Sequence, residues 1–472
     1  MKRIALYASL ALFVGVLGVS WYTHGTGVVR NDPARRISIP ERLTVPLQVQ
    51  VAHNGTTIFF RYRWPSPRAG IFHDVLRYDG NAWVVRGDAV PGPQPDGLHE
   101  DRVSMMVDDG HVPEFGRYGG YITVGRRLAG LSDEVSGREI QAHPYLGQRL
   151  ALDEATKYLP ATRQNLDDWA ATVPEPDQQA LVAAGYFLDL WHWRAHRSNP
   201  VGVADDQFVG AGRLSDSGRG PYATNWDAAR RQPRLMLDRA RVGRSALNWD
   251  DIVQGRVGQD DVYYLREDQA VPFDAAASWR TGDTIPRRIL RSSQGSRADI
   301  AVSGRARWAD GFWDVTLSRR MDTGNPREDK IFTDRGIYQV AFAIHREATG
   351  GRWHYVSLPF TLGLGRSAEI EAARFEGETP NWQQRPANVT LFYPGQVNWP
   401  LVNSTRHAGA PNVRAGVPVR YRHSEDQLAH YGIEMEFNEA IQRQWRLTIL
   451  GGLLLIAAFG FALNALLRRQ GA

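Results

Sequence analysis

Cysteine is absent from all 472 residues. That excludes disulfides, thiolate-held iron–sulfur clusters and a haem attached covalently through C-x-x-C-H. Lysine is nearly as scarce. Lys2, Lys157 and Lys330 are the three, and arginine supplies the rest of the 56 basic residues. Against 51 acidic residues the formal charge is only +5, and no basic cluster stands out. Phosphate binding wants a concentrated basic face, so nucleic acid is not an expected partner. A P-loop, a dinucleotide-binding glycine pattern and an H-E-x-x-H motif are also missing. The loops "GRLSDSGRG" and "GLGRSAE" lack the strand–turn–helix setting of a nucleophile elbow. The paired carboxylates Asp205/Asp206 and Asp250/Asp251 read as solvated loop residues. No catalytic residue is assigned.

Long apolar runs occur at the two ends. Lys2 and Arg3 precede a run from Ile4 to about Tyr22. It has the outline of a secretory signal, yet it is long for a cleaved segment and no A-x-A-like site follows. Residues 1–25 are therefore read as a signal anchor, with a cleaved signal peptide as the alternative. Leu447 to Leu467 is interrupted only by Thr448 and Asn464 and ends in Arg468 and Arg469. A run of about twenty apolar residues spans a bilayer, so residues 446–468 are expected to form a transmembrane helix. Basic pairs at both ends suit cytoplasmic termini.

Between these runs the pattern is β. In "LQVQVAHNGTTIFFRYRW" Leu47, Val49 and Val51 alternate, Asn54-Gly55 makes a turn, and Phe60, Tyr62 and Trp64 alternate again. Asn-Gly between alternating runs is a hairpin signal. Further strands are read at 101–107, 120–125, 298–319 (turning at Trp308-Ala309-Asp310-Gly311), 336–347 and 352–364. Helical pattern is confined to 165–185. Residues 199–275 are polar, without apolar period, and read as an inserted loop or lid. Many short strands separated by turns indicate a β-sandwich rather than βαβ units. From 371 to 445 the chain reads as a juxtamembrane linker.

Most of the thirteen histidines have an ordinary reading; His24, His53, His99 and His111 sit in turns or polar surroundings and read as solvated. His192 differs. In "LWHWR" a strand puts Trp191 and Trp193 on one face and Leu190, His192 and Arg194 on the other. In "RWHYVSLPF" His354 shares a face with Val356 and Leu358, away from Trp353 and Tyr355. Two strands would each present a histidine in apolar surroundings, as the axial donors of a haem iron do. The plain alternative is that each is a core or edge residue bonded to a carbonyl.

The segments "DLWHWRAHRSNPVGVADD", "GRARWADGFWDVTLSRRMDTG", "EDKIF", "YQVAFAIH" and "RWHYVSLPFTLG", in this order, closely resemble the ethylbenzene-dehydrogenase-related haem-binding domain. That domain is also the haem subunit of the type II dimethyl-sulfoxide-reductase group of molybdoenzymes. The resemblance covers about residues 45–365 apart from the insertion. It implies a mainly β, DOMON-like β-sandwich at 40–370, interrupted by the long 199–275 insertion; the apolar ends read above would flank it with an N-terminal and a C-terminal transmembrane helix. One non-covalent haem b would lie between its sheets, with axial side chains from two strands. Carried onto this chain, those are His192 and His354.

Relatives also use methionine or lysine at an axial place. No lysine falls on these strands, which leaves Met106 and Met321, with Met105, as reserve ligands; a strand methionine is otherwise core filling. Trp191, Trp193, Trp308, Trp313 and Tyr355 would wall the pocket or fill an ordinary core. Arg194 would meet a haem propionate, or else pair with Asp205 or Asp206. The stretch 407–423 is similar to a C-x-x-C-H region in which Val419 and Arg422 replace the cysteines, leaving His407 and His423 as relics.

The implied protein is an electron-transfer subunit and not itself an enzyme. It would sit on the bacterial inner membrane with its main domain in the periplasm. Its partners would be a molybdenum oxidoreductase catalytic subunit, a membrane cytochrome or quinol-linked component, and periplasmic c-type cytochromes. Two other readings stand beside it: a sugar-binding module with tryptophans as stacking platforms, and a scaffold without cofactor.

Overall fold

The computed structural model of the chain describes residues 2–22, 44–87, 96–120, 135–155, 157–165, 168–291, 299–347, 354–393 and 438–469. His24, most of the strand read at 120–125, and the 407–423 stretch lie outside them. The architecture is mainly β, with 35% strand against 21% helix.

One fourteen-stranded sheet dominates. Its first strands, β1 (Thr44–His53) and β2 (Thr57–Pro65), form the hairpin read from Asn54-Gly55. The Asn54 side-chain oxygen accepts from the backbone N–H of Thr56 at 3.1 Å and Thr57 at 2.9 Å. Gly55 supplies the positive φ of 92° that the turn requires. Next comes β3 (Arg102–Asp108), followed by β4 (Leu188–Arg194), β5 (Asp205–Val209) and β6 (Arg213–Ser215), these three each antiparallel to the strand before.

β7 (Ala301–Val302) and β8 (Arg307–Ala309) both pair with β9 (Phe312–Arg320). Asp310 and Gly311, at φ 50° and 80°, make the tight turn between β8 and β9. The last strands are β10 (Ile337–His345), β11 (His354–Ser357), β12 (Phe360–Leu364), β13 (Ile370–Arg374) and β14 (Ala387–Phe392). The strand order is β7-β9-β2-β1-β13-β12-β10-β3-β4-β5-β6, with β11 against β10 and β14, and β14 against β1.

The sheet closes over itself. Phe60 on β2 meets Trp191 on β4 at 5.2 Å between ring centroids, and Tyr62 meets Phe342 on β10 at 6.1 Å. Trp193 lies between Trp64 and Trp313, at 5.9 and 5.1 Å. This aromatic interior is the main core. The opposite face of β3, β4 and β10 carries a second, smaller cluster: Met106, Leu188, Leu190 and Ala341. Phe115, in the short helix α2 (Phe115–Tyr118), covers it together with Leu159, Tyr186 and Leu358. The two faces of β4 are thus both buried, which explains why all seven of its residues are buried.

The segment read as a polar lid contributes to the main core. Leu237, Leu247, Trp249, Tyr263 and Leu265 are buried there, and Leu247–Asn248 joins a small sheet with Asp283–Pro286, Val75–Tyr78 and Trp83–Arg86. Its apolar residues are too widely spaced to show a period, because they sit one or two at a time in very short strands and a one-turn helix. Within the stretch read as a linker, β13 and β14 belong to the main sheet. Of the described residues in the helical reading at 165–185, Glu175–Ala183 (α3) is helix; it begins after Pro174, where a proline-rich start suits the first turn.

An amino-terminal helix α1 (Lys2–Tyr22) and a carboxy-terminal helix α4 (Asn438–Arg469) pack together, with the Phe13 ring against Gly452. Among the described residues, one segment, Gln442–Phe461 of α4, is long and apolar enough to cross a membrane. A shorter apolar stretch, Leu10–Val19, lies in α1.

Candidate functional site

Strand alternation in "LWHWR" separates side chains that are adjacent in sequence. Trp191 and Trp193 are fully buried in the main core, so they cannot touch anything bound on the other face. Tyr355 and Trp313 lie in that core too, and Met105 and Met321 with them. The wall and reserve-ligand roles expected of Trp191, Trp193 and Met321 are therefore not available to them on His192's side. Trp308 packs at the core's edge, its indole N–H donating to the Ser66 carbonyl at 2.9 Å.

His192 takes the opposite face, only 5% exposed. Register fixes its neighbours. Ser104 on β3 lies directly beside it, Ala343 on β10 lies beside Ser104, and Asp205 on β5 flanks the other side. One pleat further along, Arg194, Arg102 and His345 stand in the same row, and His354 on β11 is directly opposite His345. Three imidazoles therefore share one face. The His192 and His345 ring centroids are 6.4 Å apart with planes 20° from parallel. His345 and His354 are 4.9 Å apart at 16°.

The structure thus changes the arrangement expected from sequence. His192 and His354 do not face each other across the interior; they lie on one outer face with His345 on the strand between. His345 had no place in the sequence reading. Its signal was present in "YQVAFAIHRE", where Val340, Phe342 and Ile344 take core positions and His345 must take the other face. Without the pairing of β10 to β3, that parity could not be connected to His192.

Electrostatics keeps His192 and His345 neutral. Burial, then the charges of Arg194, Arg213 and Arg102, push the His192 pKa well below 6.5. His345 is lowered by burial first, and then by Arg102, His354 and Lys157. Arg194 reaches both ring nitrogens of His192, Nη2 lying 3.1 Å from Nδ1 and Nε 3.5 Å from Nε2, so the guanidinium has to turn aside before either nitrogen can meet a metal. Neutral imidazole is the form that ligates a metal. Arg194 is also ion-paired with Asp205 and bonded to the Tyr222 hydroxyl. The Asp205 alternative weighed from sequence is the one present, although the pair is buried rather than superficial.

Leu190, Met106 and Ala341 give the face an apolar floor. Ser104 on β3 and Ala343 on β10 are the small residues in the same row as His192. A Cβ at Gly120 would lie 3.6 Å from the Met106 sulfur, so chain already passes over that residue. Arg102, Arg194 and Arg213 stand near the imidazoles, ion-paired with Glu100, Asp205 and Glu154, and Lys157 adds its charge beside His345. Two carboxylates arriving with a planar apolar ligand would meet cations there, and a soft or borderline metal would meet imidazole. These residues fit a haem. The fit rests on the chemistry of the donors and on a buried His345 Nδ1 that has no partner among the described residues.

A second charged cluster lies where β4, β5 and β9 meet. Arg319, fully buried, binds Asp189 at 2.6 Å, Asp206 at 3.3 Å and Asp329 at 2.7 Å. Asp205 and Asp206 are strand residues and buried, not solvated in a loop. The sequence misplaced them because β5 is short and follows a turn-rich stretch. His53 and His99 are likewise buried, against the expectation of solvated rings.

Near this cluster, burial and the neighbouring Asp329 and Glu328 charges push Asp216 up to about 8. A carboxyl whose folded pKa is raised stabilises the fold below its unfolded value and loses that contribution as pH climbs through the folded one. Stability should therefore fall from about pH 4 to about pH 8, by up to about 1.4 kcal/mol per pH unit for this proton. Asp216→Asn, which mimics the protonated carboxyl, should flatten the slope. Urea midpoints at three pH values test this, and an unchanged slope in the variant would refute it.

Over residues 28–357 the chain matches the family described as ethylbenzene dehydrogenase. It is also 29% identical over 104 residues to the cytochrome c-552 of Stutzerimonas stutzeri, a match covering 20% of this chain and 33% of that relative. The chain thus spans a third of the relative's length.

Proposed function

Because the chain belongs to the ethylbenzene dehydrogenase family, we propose that it is an electron-transfer protein that holds one non-covalent haem b on the histidine-bearing face. The observation that carries this is the buried, neutral His192 beside two further imidazoles and nearby cations. His192 supplies an axial nitrogen, and a second donor comes from the neighbouring strands, where His354 was the sequence candidate and Met106 the reserve. Haem b would supply one-electron redox chemistry. The protein's part is to exclude water with Leu190, Met106 and Ala341 and to set donors and counter-charges. The absence of cysteine is consistent with a haem that is not covalently attached.

The folded-over sheet supports assignment to a DOMON-like sandwich. The C-terminal helix supports an inner-membrane anchor, with α1 beside it as a second span and the main domain in the periplasm. In that setting the chain would act as a non-catalytic subunit. It would pass electrons between a molybdenum oxidoreductase catalytic subunit or a membrane cytochrome and periplasmic c-type cytochromes. The sugar-binding alternative required open tryptophan platforms, whereas Trp64, Trp191, Trp193 and Trp313 are fully buried.

The test is the visible spectrum of the full chain, purified in detergent with haem available, oxidised and dithionite-reduced. Sharp reduced α and β bands with an extractable haem b are expected. His192→Ala should lose most of the bound haem. A folded, colourless wild-type protein would overturn the reading.

A further inference from the structure

Building on that haem reading, we propose that the axial partner of His192 is His345, with His354 standing behind it as a packing neighbour. Distances decide between them. Two imidazoles on opposite sides of one iron, each about 2 Å from it, have ring centres about 6 Å apart. The His192 and His345 centroids are separated by 6.4 Å, with nearly parallel planes. His345 and His354, at 4.9 Å, are too close for an iron between them.

Sheet topology gives the same answer. β10 is two strands from β4 and β11 is three, so at about 4.8 Å per strand His354 starts about 14 Å of sheet away and His345 about 10 Å. His345 also occupies the direct line. Between β4 and β10 the intervening strand offers the small Ser104 beside His192 and Arg102 beside His345. His345 Nδ1 is buried and has no partner among the described residues.

The experiment uses the full chain with haem, comparing His345→Ala, His345→Gln and His354→Ala by ferric visible and paramagnetic-resonance spectra. Wild type should be low-spin. His345→Ala should become predominantly high-spin, and millimolar imidazole should restore the low-spin signal, which a merely structural role would not allow. His354→Ala should stay low-spin. The glutamine variant keeps the test intact if the alanine variant fails to fold. A low-spin His345 variant overturns the proposal, whether the second donor then proves to be His354 or Met106. If wild type binds no haem, the functional reading fails first, and the colourless wild-type sample distinguishes that outcome.

Discussion

Arg319→Leu should destabilise the folded chain by about 3–5 kcal/mol, because it strips the cation from several buried carboxylates. Arg319 has no solvent exposure and lies 4.7 Å over the Trp191 ring. Its two terminal nitrogens serve Asp189, Asp206, Asp329 and the Lys330 carbonyl. The large effect does not mean that the pairs themselves are strongly stabilising. A buried ion pair can be replaced whole by apolar groups at little cost, whereas removing one partner leaves uncompensated charge in low dielectric. Two consequences separate these ideas. Adding Asp189→Asn to Arg319→Leu should recover part of the loss, and acidification should rescue the single variant as carboxyls take up protons. Burial already pushes Asp329 up to about 6 with the arginine in place, so rescue should begin near neutrality. Urea unfolding at pH 5.5 and pH 8 measures both. A loss under about 1 kcal/mol at pH 8 would show that the carboxylates find other partners.

Much of the β architecture was legible because it rests on local chemistry. Asn54-Gly55 and Asp310-Gly311 dictate their turns, and strict alternation in β1 and β2 buries Leu47, Val49, Val51, Phe60 and Tyr62. Parity also divided "LWHWR" between two faces. What parity cannot provide is which faces belong to which core. Both faces of β4 are buried, so no polar residue marked the one that packs on the interior, and the tryptophans were left equally suited to a pocket wall and a core. Long-range register was the other missing term. His345 became a site residue only through the pairing of β10 with β3 and of β3 with β4, contacts far apart in the chain. The same gap hid Arg319 and its aspartates, which come from three strands and a loop and share no motif. The 199–275 stretch misled for a different reason. Its buried residues enter the core from very short strands and a one-turn helix, so composition read it as solvent-facing.

Trp193→Ala and His192→Ala, one residue apart, should fail in opposite ways. Trp193 is wedged between Trp64 and Trp313, and its indole N–H donates to Asn199 at 3.0 Å. Truncation leaves a cavity among rigid rings that cannot collapse into it, and should cost about 3–5 kcal/mol. His192 contributes differently. Its imidazole is desolvated beside Arg194, Arg102 and Arg213, so removing it takes little favourable interaction from the haem-free fold. Within about 1 kcal/mol, the urea midpoint of that variant without haem should match wild type. Haem then separates them further. A ligand bound only by the folded state raises stability in proportion to its affinity, so added haem should lift the midpoint of wild type and of Trp193→Ala, but not of His192→Ala. Equal haem responses in the two variants would mean that the tryptophan face, not the histidine face, holds the cofactor. The expected crossing, with the less stable variant keeping its haem and the more stable one losing it, follows from the pleat alone: adjacent residues on a strand answer to different sides of the sheet.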